Sequence, residues 1–149
     1  MVAEQTGRAD ERLGHLLMQV SKLLRDRVHT RMEGIGLSRG QGFILFRLGH
    51  EDGLPQTELA RQTMVRPATL TEVLQRMESA GLVERRPDPA DGRVSRVFLT
   101  PQGEAARRQA EEIWRELEAD LNAIMTAEER AALRVLLGKL RSALGTEAP

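Results

Sequence analysis

The chain has 149 residues, enough for one domain with a real core and too few for two independent ones. It contains no cysteine, which excludes disulfides and thiol-based redox sensing, and its 22 basic residues balance 22 acidic ones. No apolar run approaches the roughly 18 residues of a membrane span, and the polar, charged N-terminus is unlike a signal peptide, so the expected location is the cytoplasm.

Leu13, Leu16, Leu17, Val20, Leu24 and Val28 recur with helical period, which predicts one amphipathic helix from about Arg8 to Glu33, ended by Gly34 and Gly36. Ser38 and Gln41 have capping-box spacing, and Phe43, Ile44, Phe46 and Leu48 predict a largely buried second helix. Gln56 to Gln62 reads as a short helix with Leu59 and Ala60 inward, and Thr63-Met64-Val65 turns the chain. Pro67 can open the next helix at its first position, where the missing N–H costs nothing. Leu70, Val73, Leu74 and Met77 give that helix a core-facing stripe, and Gly81 supplies a left-handed residue after its end. Leu82–Arg86 and Val94–Leu99 read as two strands, with Asp91-Gly92 as a hairpin signal whose glycine tolerates positive φ. Thr100-Pro101 opens a further helix carrying Ile113, Leu117, Leu121 and Ile124. Thr126-Ala127-Glu128-Glu129 is a capping box before a last helix with Leu133, Leu136, Leu137, Leu140 and Leu144.

Helix, turn, helix and a two-stranded wing describe a winged helix-turn-helix, a DNA reader. The residues that carry this pattern also resemble the MarR family of bacterial transcriptional regulators. They are Gln56-Thr57-Glu58-Leu59-Ala60, Pro67-Ala68-Thr69-Leu70-Thr71, Glu78-Ser79-Ala80-Gly81-Leu82-Val83, Asp88-Pro89-Ala90-Asp91-Gly92-Arg93 and Leu99-Thr100-Pro101-Gln102-Gly103. The resemblance covers nearly the whole chain. It implies a mainly α fold with a small β-wing, one domain over 1–149, in which 37–100 form the winged helix-turn-helix and 8–35 and 101–145 the dimerisation helices. It also implies a homodimer that binds a pseudo-palindromic operator in double-stranded DNA and usually represses. The leucine stripes near both chain ends lead independently to a two-fold dimer, since each needs a partner face.

The zero net charge hides a gradient. Residues 61–100 hold 7 basic and 5 acidic side chains, and 101–149 hold 7 and 9. The reader is therefore modestly basic, and phosphate contact depends on such placement rather than on the total. Arg66 falls at the cap of the second helix of the reader, where the family usually has Ser or Thr. Thr69, Thr71, Gln75 and Arg76 avoid the apolar stripe, and their side chains suit base edges or phosphate. Glu72 shares that face and departs from the family; it would repel phosphate, accept from cytosine N4, or pair with Arg76 one helical turn on. Arg93 lies just past the hairpin tip, and the resemblance implies that it enters the minor groove, with Asp91 orienting it. Arg96 is a further DNA candidate, as are Arg85 and Arg86, by phosphate contact or as partners within the protein.

The resemblance also implies that small aromatic acids or lipophilic toxins bind between the dimer helices and the reader. Candidate lining residues are His15, Met18, Phe46, Arg47 and Trp114, each of which plain packing would equally explain. His29 and Glu33 lie one turn apart, but His15 is about 21 Å from His29 along a helix axis, so no metal site is expected, and no cofactor. No arrangement of nucleophile, base and orienting group emerges, so an enzyme is not expected. The competing functions are a dimeric helical interaction module without specific DNA binding, which Glu72 and the neutral charge favour, and an effector-free architectural DNA binder.

Overall fold

The computed structural model describes residues 12–38 and 40–145. The expected helix start at Arg8, and Arg39 in the first capping segment, lie outside the described residues. The chain runs α1 (Leu13–Glu33), α2 (Gln41–His50), β1 (Leu54–Pro55), α3 (Gln56–Thr63), α4 (Pro67–Ser79), β2 (Val83–Pro87), β3 (Ser95–Leu99), α5 (Pro101–Ile124) and α6 (Ala127–Leu144). It divides into two compact units between Ile113 and Trp114, within α5.

In the first unit, α3 and α4 bury Leu59, Leu70, Leu74 and Met77 completely, against a core that also holds Leu45 and Leu48 of α2 and Val97 of β3. Pro67 occupies the first turn of α4 as expected, and Gly81 at φ +72° ends it. There the Leu82 N–H reaches back to the Met77 carbonyl (2.9 Å) and the Gly81 N–H to that of Glu78 (2.9 Å). Thr100 caps α5, its hydroxyl accepting from the Gly103 N–H at 3.0 Å. Gly103 is obligatory for a different reason: a Cβ there would stand 1.8 Å from the Leu82 carbonyl oxygen.

Two local expectations are corrected. The amide half of the Ser38–Gln41 capping box forms, with the Ser38 N–H donating to Gln41 Oε1 at 3.1 Å. The hydroxyl half does not cap the helix, because α2 begins only at Gln41 and its cap is Gly40 at φ +85°. At the wing, Gly92 is not in the left-handed region. The loop is closed instead by the Asp88 N–H on the Val94 carbonyl (2.8 Å) and the Val94 N–H on that of Asp91 (2.9 Å). Its carboxylates replace the glycine device. Asp88 Oδ1 accepts from the Ala90 and Asp91 N–H groups, and Asp91 Oδ1 from that of Arg93.

The sheet is antiparallel in the order β1-β3-β2, with Leu54 opposite Val97 and Val83 opposite Leu99. Its third strand, β1, was not expected from the sequence. In the second unit, Thr126 forms the expected box, its hydroxyl accepting from the Glu129 N–H (3.2 Å) while the Glu129 carboxylate accepts from the Thr126 N–H (2.8 Å). No residue of α6 is buried, and Val135, Leu136, Leu137 and Leu144 are exposed. Leu13, Leu16, Val20 and Leu23 of α1 are likewise exposed.

Candidate nucleic-acid interface

The α3–α4 pair is joined by Met64, which ends α3 in the left-handed region at φ 55°, ψ 34°. For a residue with a Cβ this conformation costs about 1–2 kcal/mol. Thr63 on one side is buried, with its hydroxyl on the Leu59 carbonyl at 2.7 Å. Val65 on the other side is half-buried, and its N–H reaches the Ala60 carbonyl. The chain then enters α4 through Arg66, an N-cap without a side-chain cap hydrogen bond.

Arg66, Thr69, Glu72, Gln75 and Arg76 are all exposed. Among the described residues, Arg66, Glu72 and Arg76 make no ion pair, so of the roles open to Glu72 the pair with Arg76 does not form. Thr71 stands apart from this set. It is half-buried, donates to the Pro67 carbonyl at 3.0 Å and accepts from Gln56 Nε2 at 2.9 Å. Its hydroxyl is committed to the α3–α4 junction rather than presented outward.

The wing is tied to this pair at two places. The Glu78 carboxylate of α4 accepts from the Arg85 N–H (3.1 Å) and from Arg85 Nη2 (2.7 Å) on β2. The Arg85 hydrogen bond holds the Glu78 carboxyl below the usual carboxylate range. Arg96 donates from Nε to Asp88 and from Nη1 to the Gly53 carbonyl at 2.9 Å. It thus joins the base of the wing loop to the segment before β1, and both groups are engaged within the protein. Arg96, with the Ala90 and Asp91 N–H groups, holds the Asp88 carboxyl low. Arg86 lies over the Phe98 ring, 4.5 Å from its centroid, and pairs with Glu84.

At the wing tip the Arg93 side chain is 91% exposed and held from one side only, by Asp91 at 3.1 Å. Glu78, Gln56 and Asp88 were missed as positioning residues in the sequence. Only the Asp88-Pro89 turn start carried a local signal, since the other two act across the fold.

The ligand candidates divide between the units: Trp114 belongs to the second, the other four to the first. His15 and Met18 are exposed on α1. Phe46 stacks with Phe43 (centroids 6.4 Å apart) and meets the His50 ring in a tilted contact (4.5 Å, planes 52° apart). The Arg47 guanidinium lies 5.4 Å from the Phe43 ring centroid, with Nε buried and no hydrogen-bond partner among the described residues. His29 meets Glu33 at 3.2 Å, and no cluster of three or more metal-ligating side chains exists among the described residues. No described helix is long and apolar enough to cross a membrane.

Known proteins share this architecture. The model of the MarR family matches residues 37–95. The HTH-type transcriptional repressor Rv2887 of Mycobacterium tuberculosis is 34% identical over 133 residues, spanning 89% of this chain and 96% of its own. Its crystal structure in complex with salicylic acid superposes with a TM-score of 0.67 at 33% identity, over 89% of this chain and 98% of that one. An Escherichia coli MarR variant complexed with operator DNA superposes with a TM-score of 0.79 at 29% identity, over 86% of this chain and 92% of that one. A helix-turn-helix with a wing, matched in sequence and fold over nearly its full length by these regulators, places the chain in the MarR family of transcriptional regulators.

Proposed function

We propose that this regulator acts in the cytoplasm as a homodimer, with residues 1–149 working as one domain, and represses transcription from a pseudo-palindromic operator. The observation that carries this reading is the outward face of α4, where Arg66, Thr69, Gln75 and Arg76 stand exposed at the N-terminal and solvent side of a helix whose opposite face is the core. Recognition helices present such residues to base edges in the major groove. Arg93 would enter the adjoining minor groove. Arg96 and Thr71 would support rather than touch the bases, since their polar groups are engaged inside the protein. The exposed leucines of α1 and α6 supply the dimer face.

Release by a small aromatic acid is the regulatory part of the proposal. It is supported by the Arg47 Nε, buried beside Phe43 without a hydrogen-bond partner, which a carboxylate would accept from, and by the salicylate-bound relative. Footprinting on the promoter beside the chain's own gene, followed by titration of that duplex and of random duplex over a range of salt, tests the whole. We expect a protected two-fold site, specific affinity well above random, and a linear fall of log affinity with log salt. Equal, weak binding to both duplexes would instead favour an interaction module.

A further inference from the structure

Met64 is the one non-glycine residue at positive φ among the described residues, and it is 79% exposed. Glycine or asparagine would hold this turn with less backbone cost. Its neighbours Thr63 and Val65 turn inward, while the fold leaves the thioether in solvent. A long apolar side chain kept in an unfavourable backbone conformation, without burial, has its use outside the protein.

Its place is the reader. Met64 ends α3 two residues before Arg66, the cap of α4. In a helix-turn-helix the first helix crosses the phosphate backbone and the second sets its N-terminal residues on base edges. The turn between them therefore stands at the rim of the major groove, where the apolar group that DNA presents is the thymine methyl. An unbranched, polarisable side chain adapts well to such a target. We infer that Met64 is a specificity-determining residue, its thioether packed on a thymine methyl in each half-site. The inference rests on the operator-binding reading above.

The test uses the footprinted operator with 2′-deoxyuridine in place of thymidine, one symmetric pair at a time, against wild type, Met64→Gly and Met64→Leu. Glycine suits φ 55°, so Met64→Gly should fold with an unchanged or higher Tm. At one symmetric pair, losing both methyls should weaken wild type about 15-fold, or about 4-fold for each methyl-sized contact. The same change should leave Met64→Gly unaffected. Met64→Gly should bind the thymidine operator about as weakly as wild type binds the uracil one, with an unchanged salt slope because no charge is lost. Met64→Leu should keep most of the affinity. Wild-type affinity in Met64→Gly, or an equal loss on operator and random duplex, overturns the inference while leaving operator binding intact. Absence of any operator preference in wild type is a separate result; it removes the operator reading, and the Met64 assignment with it.

Discussion

Arg85 is gripped twice by Glu78, through its backbone N–H at 3.1 Å and its guanidinium at 2.7 Å, so one carboxylate at the end of α4 fixes the first strand of the wing. The α4 helix and the wing are thereby tied together by a carboxylate engaged within the protein. Glu78→Gln should cost about 1–2 kcal/mol in urea unfolding and weaken operator binding more than random-duplex binding. Because the folded carboxyl is depressed, its contribution is full above its ordinary pKa and is lost as pH falls through the lowered value. Wild type and Glu78→Gln should therefore converge in stability only in acid, below the usual carboxylate range. A constant gap down to the lowest accessible pH would show that the charge is not the cause.

Arg93 and Asp91 make a second pair, at the wing tip. Arg93→Ala should leave Tm unchanged, since the side chain packs on nothing, and should weaken operator binding most where the flanks are A·T-rich. Asp91→Ala removes a negative charge, which by charge alone favours DNA, yet it also releases the Arg93 backbone and guanidinium. We expect operator affinity to fall while random-duplex affinity rises. Parallel changes on both duplexes would reduce Asp91 to a simple charge effect.

Arg66→Ser places a hydroxyl where α4 now has no side-chain cap. Stability should rise by about 1 kcal/mol. Operator affinity should drop, and the salt slope should become shallower by about one unit of counterion release per half-site. An unchanged salt slope in gel-shift titrations would place Arg66 away from phosphate.

Gln75→Ala or Thr69→Ala should each cost about 1–3 kcal/mol on the cognate operator and relax preference at one symmetric base position. Thr71→Ala should behave differently. Its hydroxyl is bonded to Gln56, so Thr71→Ala and Gln56→Ala should give similar losses that do not add in the double variant. Full additivity would mean that Thr71 contacts DNA independently of Gln56.

Sedimentation at micromolar concentration should give about twice the 16.6 kDa chain mass, and deletion beyond Met125 should abolish the soluble dimer. A stable monomer that still protects the operator would contradict a dimer built on the exposed leucines of α1 and α6.

Much of the reader was legible because its signals are local. Pro67 at the start of α4, Gly81 at φ +72° after it, and the stripe Leu70, Val73, Leu74, Met77 each state their role within a few residues. So does the Thr126 box. What escaped is tertiary. β1 is two residues long, ends in proline and has no alternation of its own; it exists because Leu54 and Pro55 meet Val97 and Arg96. The wing turn is legible as Asp91-Gly92, but not through a positive φ at Gly92: Asp88 and Asp91 organise it by accepting backbone N–H groups, a role that sequence spacing alone does not separate from a glycine turn. The α4 face was found by exclusion from the apolar stripe, and that method could not distinguish Thr71 from Thr69, since Gln56 lies 15 positions away.

The closure of the wing has a practical meaning for engineering. Asp88 and Val94 fasten the loop at its base, and Arg96 anchors that base to Gly53. Within that frame Asp91 holds the Arg93 backbone, whereas Gly92 is open to a side chain and is not at positive φ, so Pro89, Ala90, Gly92 and Arg93 are the exchangeable positions. Libraries randomised at those four positions, with Asp88, Asp91 and Arg96 retained, should yield folded regulators with altered minor-groove preference, whereas diversity that includes Asp88, Asp91 or Arg96 would fall on the side chains that hold the frame.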